Sequence, residues 1–254
     1  MVIVIPARYA ATRLPGRPLR ELAGKPMLQH VHERALASRA SEVIIATDDE
    51  RIAREADGFG ARVCMTDPGH ASGTERVAEV IEVMGWSDDE VVVNLQGDEP
   101  LMPPPLLDQV AEDVQRHEAA DMATLAAHLE SPDQLFDPAT VKVVLDRKGY
   151  ALYFSRVPIP WQRDEMKWGE APSMELARKY LRHIGLYAYR AGFVREYVKW
   201  PSSELEQTES LEQLRVLWQG RRIHVSMAAE PPPAGVDTPE DLQRVERLLR
   251  ERSA

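Results

Sequence analysis

The stretch "VVVNLQGDEP", residues 91–100, decides how the fold is interpreted. An apolar run typical of a buried strand ends abruptly in Gln96, Gly97, Asp98 and Glu99. Strands inside a parallel sheet are continuously apolar, and ligands of such sheets bind beyond the carboxyl ends of the strands. The stretch therefore predicts a strand that carries a carboxylate into a ligand crevice.

The first hundred residues repeat this pattern. Short apolar runs rich in β-branched residues occur at 2–5, 42–47 and 61–65, and segments with helical spacing lie between them. The clearest helical stripe runs from Val77 to Met84 with apolar residues at i, i+3, i+4 and i+7. Alternation of strand and helix predicts an α/β fold with a mostly parallel central sheet flanked by helices.

The pattern changes after residue 120. Strand-like segments at 121–129, 141–146 and 149–156 follow one another without obvious helices between them, so we expect antiparallel additions. Residues 161–180 mix charges with Trp, Pro and Gly, which predicts a long surface loop.

The last part of the chain predicts two more strands and two helices. The strands are expected at 183–190 and 221–227, with a helix closed by Gly220 between them. A final amphipathic helix is expected to start with Thr238 as its N-cap and Pro239 as its first helical residue.

Composition narrows the possible functions. The chain has 254 residues and a formal net charge of −10, which disfavours nucleic-acid binding because such proteins present a basic face to phosphates. The single cysteine, Cys64, excludes an intramolecular disulfide and a Cys-based zinc site, and we expect it in the core. The sequence has no basic leader and no apolar run of about 20 residues. We therefore expect a cytoplasmic protein without membrane insertion.

The first loop concentrates positive charge directly after a predicted buried strand. It carries Arg8, Arg13, Arg17, Arg20 and Lys25, although the protein is acidic. Arginine forks match phosphate oxygens, so the loop predicts a polyanion site, and a solvated loop is the alternative. The loop lacks the G-x-x-x-x-G-K-[ST] and G-x-G-x-x-G motifs.

Asp98 adds a second signal to this cationic loop. A carboxylate at a strand end can hold a divalent cation through hard oxygen ligation, and capping of the next segment is the alternative. Cations and a carboxylate together suggest a nucleoside triphosphate with magnesium, where charge stabilisation does most of the chemistry.

The motifs carry a family resemblance that runs from residue 2 to about residue 250. In chain order, the sequence resembles the 3-deoxy-manno-octulosonate cytidylyltransferase family in "IPARYAATRLPGRPL", "GKPM", "ATDD", "SGTER", "NLQGDEP", "VKVVLD", "GYALYFSR", "RHIGLYAYR", "LEQLRVLW" and "GVDTPEDL". The resemblance implies a Rossmann-like nucleotidyltransferase fold in a single domain, 1–254. An antiparallel portion at about 120–190 would bind the sugar and form a homodimer.

The resemblance also implies a reaction. The anomeric hydroxyl of 3-deoxy-manno-octulosonate (Kdo) would attack the α-phosphorus of CTP, pyrophosphate would leave, and the CMP-Kdo would serve lipopolysaccharide biosynthesis. Asp98 and Asp237 would bind Mg²⁺ and act in catalysis with Arg13 and Arg17.

The remaining site residues are likewise implied by the resemblance. Contacts to the nucleotide would come from Ala7, Arg8, Ser72, Gly73, Arg76 and Gln96. Contacts to Kdo would come from Arg156, His183, Tyr187, Glu212 and Gln213. Three of the implied site residues have structural alternatives. Ser72 and Asp237 each precede a predicted helix, and a lone histidine such as His183 is often a structural hydrogen-bonding group.

The sequence departs from the family at two positions. Ala11 stands where the family usually has Ser, and Arg17 stands where it has Lys, which exchanges a compact ammonium for a planar fork. We expect retained activity with an altered affinity for CTP. Three alternatives are a nucleotidyltransferase for another acidic sugar (a sialate or an amino-Kdo analogue), a nucleotide-binding protein without catalysis, and a glycosyltransferase.

Overall fold

A computed structural model gives the fold and describes residues 1–10, 14–167, 170 and 172–253. The strands are β1 (Val2–Pro6), β2 (Glu21–Leu22), β3 (Lys25–Pro26), β4 (Glu42–Thr47), β5 (Arg62–Met65), β6 (Val91–Asn94), β7 (Met122–His128), β8 (Lys142–Leu145), β9 (Ala151–Ser155), β10 (Leu181–Arg190) and β11 (Ile223–Met227). The α-helices are α1 (Met27–Leu36), α2 (Glu50–Gly58), α3 (Gly73–Met84), α4 (Pro104–Arg116), α5 (Asp133–Phe136), α6 (Met174–Ala177), α7 (Ala191–Tyr197), α8 (Glu204–Glu209), α9 (Leu214–Trp218) and α10 (Pro239–Ser253).

The central sheet follows the order β11-β7-β10-β6-β1-β4-β5, and β8 and β9 extend it beside β10. Strand β1 pairs in parallel with β4 and β6, and β4 pairs in parallel with β5. Strand β10 runs antiparallel to β6, β7 and β8. The predictions of a mostly parallel sheet and of antiparallel additions after residue 120 are therefore confirmed, with β11 added in parallel to β7.

Burial on both faces explains the continuous apolar runs. In β1, Ile3 and Ile5 pack into one core cluster, whereas Val2 and Val4 pack into the cluster on the opposite face. Successive side chains of a strand point to opposite faces, so an alternating polar residue would be buried here. The predicted core position of Cys64 is also confirmed.

The prediction of a long surface loop at 161–180 is wrong in part. Met166, Leu176 and Tyr180 are buried in a satellite cluster, and the short helix α6 starts at the N-cap Ser173, whose Oγ accepts a hydrogen bond from the Leu176 amide at 3.1 Å. A second short helix, α5, lies between β7 and β8, where none was expected. Single helical turns show too little periodicity to be found in the sequence.

The helix predicted before Gly220 is confirmed but short, at Leu214–Trp218, and α8 precedes it with a capping box that the sequence interpretation missed. The start of α10 is confirmed, because Thr238 Oγ1 accepts from the Asp241 amide at 3.2 Å. Val245 of α10 packs with Leu14 of the first loop. This packing brings the segment before α10 to the carboxyl edge of the sheet. Among the described helices, none is both long and apolar enough to cross a bilayer.

Candidate active site

Two pockets adjoin at the carboxyl edge of the sheet. The first pocket, of about 130 Å³, lies among the ends of β1 and β6 and the start of α3. Every described residue predicted to contact the nucleotide lines it: Ala7, Arg8, Ser72, Gly73, Arg76 and Gln96. Arg17 and Asp98 line it as well, whereas Arg13 lies outside the described residues.

The second pocket, of about 700 Å³, lies on the antiparallel side of the sheet. Three of the five residues predicted to contact the sugar line it: His183, Tyr187 and Gln213. Its lining also includes Asp98, Glu99 and Asp237. Asp98 therefore belongs to both pockets and marks the boundary between them.

Arg17 joins the two carboxylates that were predicted to act together. Its Nη2 lies 2.7 Å from Asp98 Oδ2, and its Nη1 lies 2.6 Å from Asp237 Oδ1. The Val236 amide also donates to the backbone carbonyl of Asp98 at 2.9 Å. Residues 98 and 237 are thus brought together by tertiary structure, which their separation in the sequence could not show.

Two glycines permit this close approach. A Cβ on Gly97 would lie 2.8 Å from the Pro6 carbonyl oxygen, and one on Gly235 would lie 2.8 Å from Glu99 Oε1. A Cβ closer than about 3 Å to backbone forces the chain to shift. Glycine at 97 therefore keeps the end of β6 against the end of β1.

The carboxylates at the boundary repel one another. Burial raises the pKa of Asp98, the nearby Arg17 guanidinium opposes this, and the Asp237 charge adds to it. Burial, together with the charges of Asp98 and Asp237, raises the pKa of Glu99 to about 8. Carboxylate oxygens are the ligands that Mg²⁺ prefers, so the donor set at this boundary fits a divalent cation.

Hydrogen bonds and an ion pair hold two of the residues that line the first pocket. Arg76 is buried, with its Nη2 3.1 Å from Asp48 Oδ2 and its Nη1 donating to Thr66 Oγ1 at 2.5 Å. Ser72 accepts from the Glu75 amide at 3.2 Å, so its helix-start role is confirmed while it also lines the pocket. Helix N-termini present free amides that suit anions and acceptors.

The second pocket presents mostly neutral polar groups from the predicted set. Burial lowers the pKa of His183 to about 3, so its ring is neutral, and its Nε2 lies 2.9 Å from Thr124 Oγ1. The Tyr187 hydroxyl donates to Gln213 Oε1 at 3.3 Å. Gln213 Nε2 is buried and has no hydrogen-bond partner among the described residues.

Arg156 and Glu212, also predicted to contact the sugar, are not among the described residues that line this pocket. Arg156 donates to the carbonyls of Glu209, Pro138 and Ser210 at 2.6, 2.8 and 3.2 Å. Glu212 Oε2 accepts from Thr74 Oγ1 at 3.0 Å, and burial raises its pKa. Their contact with a sugar stays a prediction.

The sequence interpretation missed several charged residues of the second pocket, among them Glu99 and Arg182. Glu99 follows Asp98 in the same polar strand end, which is the signal that could have found it. Arg182 precedes His183, and its Nη2 donates to the Pro232 carbonyl at 2.8 Å, while its Nε is buried without a partner among the described residues. The strand pattern alone gave no sign that Arg182 faces a pocket.

Cations, paired carboxylates and two adjoining pockets at the carboxyl edge of a parallel sheet define a nucleotide-binding transferase of the α/β class. A profile of the cytidylyltransferase family matches residues 2–223. The 3-deoxy-manno-octulosonate cytidylyltransferase of Pasteurella multocida (strain Pm70) is 56% identical over 252 residues, covering 97% of each chain. That of Aliivibrio fischeri (strain MJ11) is 57% identical over 247 residues, covering 97% of this chain and 98% of the relative.

A solved structure of CMP:2-keto-3-deoxy-manno-octonic acid synthetase complexed with CTP has a TM-score of 0.88 and 42% identity. The match covers 99% of this chain and 98% of that one. The chain belongs to the 3-deoxy-manno-octulosonate cytidylyltransferase family.

Proposed function

We propose that the protein transfers CMP from CTP to the anomeric hydroxyl of Kdo, forming CMP-Kdo for lipopolysaccharide biosynthesis and releasing pyrophosphate. The observation that carries the proposal is the position of Asp98, which lines both pockets. CTP in the first pocket and Kdo in the second would meet at this carboxylate. The names of the similar proteins support both substrates.

The cationic side of the boundary is suited to the triphosphate. Arg8 is exposed at the end of β1, and Arg17 reaches into the space between Asp98 and Asp237. We assign the phosphates to these arginines together with Arg13. Their guanidinium groups can bind phosphate oxygens in a bidentate manner and hold the α-phosphorus towards the second pocket.

Asp98 and Asp237 would hold the Mg²⁺ ion that the family resemblance implies. A cation bound there would neutralise charge on the phosphates and on the leaving pyrophosphate. In the structure, Arg17 already supplies positive charge to both carboxylates. The same arginine would therefore exchange carboxylate partners for phosphate partners when the substrates bind.

Base recognition would fall to the start of α3 and to Gln96. Gly73 approaches the Gln96 side chain closely enough that a Cβ would lie 3.5 Å from it, and Gln96 Nε2 donates to Asn94 Oδ1 at 3.1 Å. The hydrogen bond to Asn94 orients the amide of Gln96. Ala7 lines the same pocket with a small side chain.

The second pocket suits a polyhydroxylated acid. The neutral His183 and the Tyr187–Gln213 pair offer donors and acceptors to hydroxyl groups. Arg182 adds a guanidinium for the sugar carboxylate. Arg156 would support this pocket through its hydrogen bond to the Pro138 carbonyl, and Glu212 is the residue next to Gln213.

The homodimer and the cytoplasmic location also belong to this proposal. Exposed apolar side chains on the antiparallel portion support a self-association surface at about 120–190: Leu152, Val157 and Trp161. A cytoplasmic location is consistent with the use of CTP as substrate.

The test is pyrophosphate release from each of the four ribonucleoside triphosphates with Mg²⁺, in the presence of Kdo, a sialic acid or no sugar. We expect release with CTP and Kdo alone. Release with a different acidic sugar would replace the sugar assignment. Tight CTP binding without any release would indicate a binding protein, and CTP turnover without any acceptor glycan would exclude a glycosyltransferase.

A further inference from the structure

Lys142 on β8 is a fully buried cation that is held by backbone oxygens alone among its described contacts. Its Nζ donates to the carbonyls of Asp137, Thr140 and Arg156 at 3.0, 2.5 and 2.6 Å. An ammonium has three N–H donors, so all of them are used. A buried charge is costly, and this one is retained where an apolar residue would have filled the space in β8.

Two of the three carbonyls, those of Asp137 and Thr140, belong to residues that line the second pocket, and the third belongs to Arg156. Asp137 and Thr140 belong to the segment 137–141, most of which lines that pocket. The Arg156 side chain binds the same segment through the Pro138 carbonyl and joins it to the carbonyls of Glu209 and Ser210. The two cations thereby connect the 137–141 segment to the chain that leads into Gln213.

We propose that Lys142 is a positioning residue, whose ammonium fixes the 137–141 segment and so shapes the second pocket for its sugar. The identity of that sugar rests on the proposed function. The structural part of the inference rests on the hydrogen bonds of Lys142 and is independent of the reaction.

The protonation state of Lys142 controls how many of these hydrogen bonds can form. Burial lowers its pKa to about 8, the Asp137 and Glu209 charges oppose the shift, and the Arg156 charge adds to it. The cross-strand neighbour Arg182 directs its guanidinium to Pro232 and Glu130 instead.

Loss of the proton leaves two N–H donors and a lone pair facing three carbonyl oxygens. Below pH 8 the ammonium satisfies all three oxygens, and above pH 8 one of them loses its donor. The KM for the sugar should therefore rise above pH 8, while the KM for CTP, which binds in the other pocket, should stay unchanged.

The experiment compares the wild-type chain with Lys142→Met, Lys142→Gln and the control Lys148→Met, at pH 7 and pH 9. Lys148 is an exposed lysine in the turn after β8. We expect Lys142→Met to raise the KM for the sugar about tenfold at pH 7, the effect of losing one or two hydrogen bonds. Lys142→Gln keeps two N–H donors and does not titrate, so it should match the wild type at pH 9. Its KM for the sugar should rise less with pH than that of the wild type, because Glu99 of the same pocket, whose pKa is about 8, titrates in both.

Hydrogen exchange separates this inference from the proposed function. The Thr140 amide donates to the Asp137 carbonyl at 3.1 Å, and the Ala139 amide donates to Asp137 Oδ1 at 2.9 Å. In Lys142→Met both amides should exchange faster than in the wild type at pH 7, whether or not the chain releases pyrophosphate. A wild type without CTP and Kdo turnover would refute the proposed function and leave this readout intact.

The inference is overturned if exchange at residues 139–140 and the KM for the sugar are both unchanged in Lys142→Met. A variant that fails to fold is recognised by its thermal melting curve. The pH dependence of the KM for the sugar in the wild type then tests the inference. A flat KM for the sugar between pH 7 and pH 9 in the wild type would overturn the inference. A rise that is confined to the sugar and is larger in the wild type than in Lys142→Gln would support it, because Glu99 contributes to both.

Discussion

The two pockets that share Asp98 are built in different ways. The first pocket takes most of its residues from short runs at the ends of β1 and β6 and around the start of α3, and the first loop adds Arg17 and Pro18. The second pocket takes its residues from distant segments between Asp98 and Arg244, including β10 and the chain before α10. Neighbouring parallel strands always have their carboxyl ends at the same edge of the sheet. In an antiparallel extension, the particular turns and packing decide which side chains meet.

The pockets also differ in charge. The first pocket holds Arg8, Arg17 and Arg76, which suits a triphosphate. The second pocket is lined by more carboxylates than guanidinium groups, although its proposed sugar is an anion. Recognition of the sugar carboxylate must therefore depend on very few cations. Substitutions can test this contrast one pocket at a time.

The largest effect is expected at the shared boundary. Asp98→Ala should lower the rate of pyrophosphate release by about 1000-fold, because charge stabilisation of this kind is worth two to three orders of magnitude. Steady-state assays with CTP and Kdo measure it. The control is Asp88→Ala, which removes an exposed partner of Arg195 and should change the rate by less than about twofold. A rate within tenfold of the wild type in Asp98→Ala would show that the boundary is not the reaction centre.

A change at Arg182 should affect the second pocket alone. Arg182→Met keeps an unbranched apolar stem and removes the guanidinium, so the KM for Kdo should rise about 10- to 100-fold, as expected for a hydrogen bond to a charged group. The KM for CTP should not change. Arg147→Met, at an exposed position, is the control. Equal rises in both KM values would contradict the separation of the pockets.

The first pocket and the parallel sheet could be predicted from the sequence because their signals are local. Strand ends at Ala7 and Gln96 and the helix start at Ser72 each lie beside an apolar run that reveals the element. The second pocket could not be predicted to the same extent. Whether Arg182 lines a pocket depends on how β10 packs, and Arg156 donates to carbonyls that no spacing identifies.

A change at Gly97 should affect the first pocket and the stability of the fold. In Gly97→Ala the new Cβ meets the Pro6 carbonyl at 2.8 Å, so the free energy of unfolding should fall by about 1–3 kcal/mol. The KM for CTP should rise, because the ends of β1 and β6 are pushed apart.

The matched control for this change is Gly58→Ala. Gly58 ends α2, and a Cβ there would meet nothing within 4 Å. Since alanine favours a helix over glycine, this variant should be more stable by about 0.5–1 kcal/mol. Urea denaturation measures both variants. If both alanine variants are more stable than the wild type, the close approach at Gly97 does not limit the stability of the fold.

The smallest effect is expected for Arg17→Lys, which introduces the residue that the family resemblance implies at this position. Arg17 spans Asp98 and Asp237 with separate nitrogens, whereas a lysine ammonium is a single point of charge and reaches them less well together. The charge is kept, so turnover should stay within about tenfold and the KM for CTP should change a few-fold. Arg20→Lys, in the same loop but bound to the Pro15 carbonyl, is the control and should match the wild type.

The two KM values of Arg17→Lys distinguish the two roles of this residue. A change in the KM for CTP alone would mean that Arg17 acts on the phosphates, because the carboxylates that also line the second pocket would be undisturbed. A change in the KM for Kdo as well would mean that its fork sets the spacing of Asp98 and Asp237. No change in either KM or in turnover would show that Arg17 does not contact the phosphates, and the triphosphate would then depend on Arg8 and Arg13.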